Sequence, residues 1–191
     1  MHPTIKKSLL LIEKCLSFPL VAKLLFLINI GALLFALLME YGFDVRPCIL
    51  CLWQRIPYAA AAALSLIALV WTPYRRQTAI LLALCSLLYL TGSGIAVYHS
   101  GVERHWWEGT PSCAAEELQG ASPEELRKAL LALEEPRCDE ITWSIIGLSL
   151  TNLNVCAFLG LALFAGMAAL AQAQRERKTF PFLRFIGKKF L

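Results

Sequence analysis

The sequence predicts an all-α membrane protein, a four-transmembrane-helix bundle with a short horizontal helix in its one long loop. Three observations carry that prediction. Of 191 residues, 58% are apolar and the mean hydropathy is +0.59, usual for a small multi-span membrane protein and rare in a water-soluble domain. Four apolar runs reach the ~20 residues a helix needs to cross a bilayer. Charged side chains gather between and beyond those runs, sorted by sign. No nucleic-acid-binding pattern is present, and that partner class is set aside.

Residues 1–18 carry Lys6, Lys7 and Lys14 among leucines, the pattern of a short amphipathic helix lying on a membrane surface. The first span is expected over 19–39, interrupted by Lys23 and Asn29. A cleaved signal peptide is the rival reading, but its apolar core would be too long and no small-x-small site precedes Glu40. A short turn, 40–47, leads to a second span over 52–72, in which the run Ala59 to Ala63 allows close helix approach. After the turn Pro73-Tyr-Arg-Arg76, a third span covers 77–98, with Gly92 and Ala96 as a small-xxx-small packing pair.

The loop 99–142 breaks the pattern, with ten acidic residues against four basic ones. Ser122-Pro123-Glu124-Glu125 reads as a capping box, and Leu126, Ala129, Leu130 and Leu133 recur at helical spacing behind it. The fourth span is expected over 143–171, with Asn152 and Asn154 as interhelical hydrogen-bond glue. A tail, 172–191, then alternates Arg and Lys with Phe180, Phe182, Phe185 and Phe190, reading as an anchor on anionic lipid. Both ends and the Arg75-Arg76 turn are basic, so the positive-inside rule places both termini in the cytoplasm and the acidic loop opposite. One domain is expected over 1–191.

That topology divides the seven cysteines. Cys48, Cys51, Cys113 and Cys138 fall at or beyond the outer face, where disulfides persist, whereas Cys15, Cys85 and Cys156 read as inert apolar residues. Four cysteines admit three pairings, of which Cys48 with Cys51 and Cys113 with Cys138 needs no rearrangement. Closing so short a loop as Cys48–Cys51 gains little stability, so a purely structural role suits that pair poorly. Pro47 suits a first helical turn, where the dipole favours a thiolate, and Cys-x-x-Cys is the spacing in which thiolate pKa is tuned. Arg55 lies one turn after Cys51, placed either to sit over its sulfur or to snorkel to the headgroups. A Cys₄ zinc site is the alternative. It usually joins two close pairs, whereas 24 residues separate Cys113 from Cys138, and Arg55 would oppose a dication. No metal is expected.

Pro-Cys-Ile-Leu-Cys at 47–51 followed by Arg55, Tyr98-His99-Ser-Gly-Val-Glu103, and Arg137-Cys138-Asp139 before Trp143 resemble the disulfide bond formation protein B (DsbB) family over nearly the whole chain. The vitamin K epoxide reductase group has related chemistry but the reverse cysteine order. The resemblance implies a bacterial inner-membrane thiol:quinone oxidoreductase, with ubiquinone or menaquinone as its cofactor. Its implied partner is a periplasmic thioredoxin-fold dithiol oxidase, DsbA-like, on the side of the acidic loop. By the same resemblance, the partner's thiolate attacks Cys113, giving a mixed disulfide that Cys138 resolves. Cys138 then exchanges with Cys48 and frees Cys51 as a thiolate that passes electrons to quinone. Arg55 and His99 are implied at the quinone. The basic tail and Cys15, Cys85 and Cys156 have no counterpart in that pattern.

The energetics favour an external sink. A DsbA-like pair lies near −120 mV and an ordinary thioredoxin-like pair near −270 mV, so passing two electrons to the latter would cost about 7 kcal/mol. Two other functions compete: a paralogue dedicated to one partner oxidase, and a non-catalytic Cys-rich metal-binding membrane protein.

Overall fold

The computed structural model describes residues 18–71, 75–110, 122–124, 127, 137–141, 143–145 and 147–187, the side chains of 18, 75, 145 and 177–187 excepted. Four long helices form the bundle: α1 (Phe18–Gly42), α2 (Ile49–Trp71), α3 (Arg75–Glu103) and α4 (Leu150–Gly187). All four are long and apolar enough to cross a membrane. Their outward faces carry large apolar side chains such as Leu34, Ile56, Leu87 and Leu163, as expected where lipid replaces water.

The helices pack in chain order around a ring. The α3–α4 contact is the most extensive, α1–α2 and α2–α3 follow, and α1 scarcely touches α4. Small residues make the close contacts. Ala61, Ala96, Ala165 and Ala168 are buried, and Gly92 lies so near Phe158 that a Cβ there would sit 2.7 Å from its ring. Phe158 stacks on Tyr58 with centroids 4.4 Å apart and meets Tyr89 at 6.4 Å. The small-xxx-small reading of Gly92 and Ala96 is therefore a packing feature, as expected.

Three boundaries differ from the sequence reading, each for a local reason. The third span does not stop at Tyr98. Its helix continues to Glu103, where His105 at φ 54° closes a Schellman turn with bonds His105 N→Val102 O (3.0 Å) and Trp106 N→Gly101 O (2.9 Å). Trp107 then folds back onto Gly101 and stacks on Tyr98. The fourth helix does not start at Trp143. Residues 144–149 form a small antiparallel hairpin, β1 (Ser144–Ile145) against β2 (Leu148–Ser149), turned at Gly147 with φ 76°. Ser149 caps α4, its Oγ accepting the Asn152 N–H at 3.3 Å. Nor does α4 end at Ala171: the helix is continuous for 38 residues to Gly187, through most of the expected tail.

The expected surface helix at 1–18 lies outside the described residues except for Phe18, as do Cys15, Cys113 and most of the horizontal helix. Of the latter, Pro123, Glu124 and Arg127 are helical.

Candidate functional site

Cys48 is the last residue before α2 and Cys51 lies in its first turn, so Pro47 precedes the helix instead of sitting in its first turn as expected. Both thiols are free, with sulfurs hydrogen-bonded at 3.2 Å. His99, on the stretch of α3 beyond Tyr98, brings Nε2 to 3.5 Å from the Cys48 sulfur. Cys138 arrives from the far side of the long loop. It is fully buried, disulfide-bonded to a partner outside the described residues, and packed with Cys48, Leu50 and Val102.

The flanks of Cys138 explain its placement. Arg137 forks onto Asp139 across it, Nε to Oδ1 at 2.9 Å and Nη2 to Oδ2 at 2.6 Å, which tightens the chain at that point. That guanidinium holds the Asp139 carboxyl below the usual carboxylate range. The Cys48 sulfur, the Cys138 sulfur and a His99 ring nitrogen thus lie within 4.8 Å of one another. With Cys138 in a disulfide, this trio is not a thiolate ligand set. It is the arrangement of a thiol beside a disulfide, held by one imidazole.

The hydrogen bond to Cys51 and then that to His99 hold the Cys48 thiol below its ordinary range, although burial opposes them. Sequence reasoning placed thiolate character on Cys51. That expectation concerns a state in which Cys48 is itself bonded to Cys138. With both thiols of the pair free, the depressed group is Cys48.

Arg55 does sit beside the pair, but its guanidinium turns to α1. Nη1 bonds the Glu40 carboxylate at 2.6 Å and Nη2 the Ala36 carbonyl at 3.5 Å, with both charged side chains 22% exposed. The sequence reading had Glu40 only as the start of a turn. Its partner lies 15 positions on, across a helix–helix contact that no local spacing displays.

A cavity of about 440 Å³ opens beside these groups, at the seam where α1 and α4 scarcely touch. Ile28, Leu33, Met39, Ala157 and Leu161 give it apolar walls; Cys48, Cys51, Gln54, Arg55, His99 and Asn154 lie at its polar end. Asn154 was expected as glue, and it bonds Gln54 and Tyr58 across to α2. Asn152 likewise accepts from Ser100 of α3 at 2.7 Å. At the mouth, Glu103 accepts bonds from Ser149 (2.6 Å) and Thr151, which ties the end of α3 to the start of α4.

The DsbB family model, described as disulfide bond formation protein DsbB, matches residues 19–168. The chain belongs to the DsbB family. A disulfide bond formation protein B of Methylobacillus flagellatus is 30% identical over 148 residues, 75% of this chain and 88% of the relative. One from Xylella fastidiosa is 30% identical over 163 residues, 81% and 91% of the two chains. An uncharacterized protein of Rickettsia prowazekii is 32% identical over 145 residues, 72% and 83%. No solved structure matches significantly. This DsbB family member is thus a multi-pass membrane protein of disulfide bond formation. Within the matched segment lie Cys48, Cys51, Arg55, His99, Cys113 and Cys138, all six residues that sequence reasoning put forward.

Proposed function

We propose that this protein is a thiol:quinone oxidoreductase of a bacterial inner membrane, with both termini cytoplasmic and its redox cysteines periplasmic. It reoxidises a thioredoxin-fold, DsbA-like dithiol and so generates disulfides. The observation that carries the reading is a free Cys48 thiol within 4.8 Å of a disulfide-bonded Cys138 sulfur, at the head of an apolar cavity.

Each exchange conserves electrons. The partner's thiolate attacks Cys113 of a Cys113–Cys138 disulfide, and Cys138 leaves as a thiolate. Cys138 attacks Cys48 of an oxidised Cys48–Cys51 pair, and Cys51 leaves. The partner's second thiol then attacks its own mixed disulfide and departs oxidised, releasing Cys113. Cys113 reforms its bond to Cys138, and Cys48 leaves. The net result is a reduced Cys48–Cys51 pair beside an oxidised Cys138, which is the covalent state of this structure at Cys48, Cys51 and Cys138. A depressed thiol makes Cys48 a good leaving group in the last step.

The cavity fits a quinone by its chemistry: apolar walls for ring and tail, donors at one end, and a position at the seam between α1 and α4. A quinone bound there supplies an acceptor for the two electrons and two protons released when the Cys48–Cys51 dithiol becomes a disulfide. Arg55 has five N–H donors and gives two to Glu40 and Ala36, so the rest can bind a carbonyl oxygen. Glu40 orients the guanidinium and offsets its charge in the half-buried setting. His99 Nε2 lies 3.5 Å from the Cys48 sulfur.

The test is stopped-flow reduction of a water-soluble ubiquinone analogue by a reduced thioredoxin-fold dithiol in the presence of the purified protein. Turnover should vanish in Cys51→Ser and Cys113→Ser. Full turnover in Cys51→Ser sinks the mechanism.

A further inference from the structure

A hydrogen-bond chain runs from the cavity wall to the Cys48 sulfur, and only its two ends touch groups of obvious chemistry. Tyr58 OH bonds Asn154 Oδ1 at 3.3 Å, Asn154 Nδ2 bonds Gln54 Oε1 at 2.7 Å, Gln54 Nε2 meets His99 Nδ1 at 2.9 Å, and His99 Nε2 meets Cys48 at 3.5 Å. Gln54 and His99 are 2% exposed and Tyr58 6%, while Asn154 is half-buried at the cavity wall.

The direction of this chain follows from its Tyr58 end. A buried phenol must donate its proton, and among the described residues its bonded acceptor is Asn154 Oδ1. Asn154 therefore presents its NH₂ to Gln54, Gln54 accepts on Oε1, and its own NH₂ faces the imidazole. An amide N–H pointing at Nδ1 requires a bare nitrogen there. A neutral imidazole bare at Nδ1 carries its proton on Nε2, the atom that faces sulfur.

We infer that Tyr58, Asn154 and Gln54 are positioning residues that lock His99 as the neutral, Nε2-protonated tautomer, so that it serves Cys48 as a hydrogen-bond donor and not as a base. The inference rests on the thiol-exchange reading only in treating Cys48 as an exchanging sulfur. With Nδ1 covered by the Gln54 amide, the ring's proton sits on Nε2, the nitrogen that faces the Cys48 sulfur. The other charged or titratable groups at this site are Cys51 and Arg55 of α2, Glu103 of α3, Arg46 of the α1–α2 turn, and Arg137 and Glu140 beside Cys138. Gln54 covers the Nδ1 side of the ring.

The experiment uses the full-length reduced protein in detergent, without quinone or partner. Ring ¹⁵N shifts of labelled histidine, with His99 assigned by its loss in His99→Ala, should show a bare Nδ1 and a protonated Nε2. Peptide-resolved alkylation of Cys48 by iodoacetamide against pH gives the thiolate midpoint. Tyr58→Phe keeps the ring stacked on Phe158 and removes only the donor that orients the chain. It should mix the two tautomers and move the Cys48 midpoint up by about one pH unit. Gln54→Met uncovers Nδ1 and should likewise mix the two tautomers and raise the Cys48 midpoint. A wild-type His99 protonated at Nδ1, or a Cys48 midpoint unmoved in both variants, overturns the assignment. Because quinone is absent throughout, neither result depends on whether the protein reduces one.

Discussion

At the scale of single residues, the site is arranged around Cys48 rather than around the pair as a symmetric unit. Its thiol is pulled below its ordinary range by bonds to Cys51 and His99. That shift has a direct consequence for stability. A group whose folded pKa is lowered binds fewer protons folded than unfolded, so its contribution is complete above the unfolded value and is lost as pH falls through the folded one. The reduced protein should therefore gain thermal stability between pH 5 and 8, and Cys48→Ala should flatten that part of the curve. Differential scanning fluorimetry in detergent with a thiol-free dye reads both. A wild-type melting temperature that falls over the same interval, with the mutant unchanged, would contradict the assignment of a thiolate to Cys48.

At the scale of helices, the bundle is held by close backbone approach rather than by bulk. Gly92 shows this most clearly. Alanine there gains about 0.5–1 kcal/mol of helix propensity, yet its Cβ would stand 2.7 Å from the ring of Phe158. That ring is fully buried between Tyr58 and Tyr89 and has nowhere to retreat. Overpacking costs about 1–3 kcal/mol, so the clash wins. Gly92→Ala should lower the melting temperature, and Phe158→Leu added to it should recover part of the loss; additive losses in the double mutant would refute the contact. The existence of four spans, the packing of Gly92 and the bridging asparagines were legible because each rests on length, residue size or polarity within one segment. The ends of the helices were less so. His105 holds a left-handed turn that glycine usually takes, and Ser149 caps α4 behind a hairpin too short to leave a periodic trace. Glu40, Gln54 and Tyr58 were missed as parts of the site for a different reason. Their partners lie on other helices, and a polar residue in an apolar run does not announce which neighbour it faces.

At the scale of the whole molecule, the ring of helices closes tightly everywhere except between α1 and α4. The sulfur cluster sits at one end of that seam, and the cavity runs down from it. Sulfur exchange and access to the cavity should therefore be separable. Ala157→Trp fills the cavity from α4 without touching Cys48, Cys51 or Cys138. It should raise the KM for a quinone analogue at least about tenfold, a loss of about 1.4 kcal/mol in binding. Single-turnover transfer from a partner dithiol to the Cys48–Cys51 disulfide should remain at the wild-type rate. Equal losses in both assays would show that the two regions act as one.

The 38 residues of α4 have a mechanical meaning beyond the site. At 1.5 Å per residue the rod is about 57 Å long, against a hydrocarbon core of about 30 Å. The candidate span takes Leu150–Glu176, so the last residues, 177–187, extend the rod as an arm of about 16 Å at the end remote from the sulfurs. Whatever meets the far tip of that arm is held at a fixed standoff, and a twist or tilt imposed there reaches the cap at Ser149 through one unbroken spiral of backbone bonds.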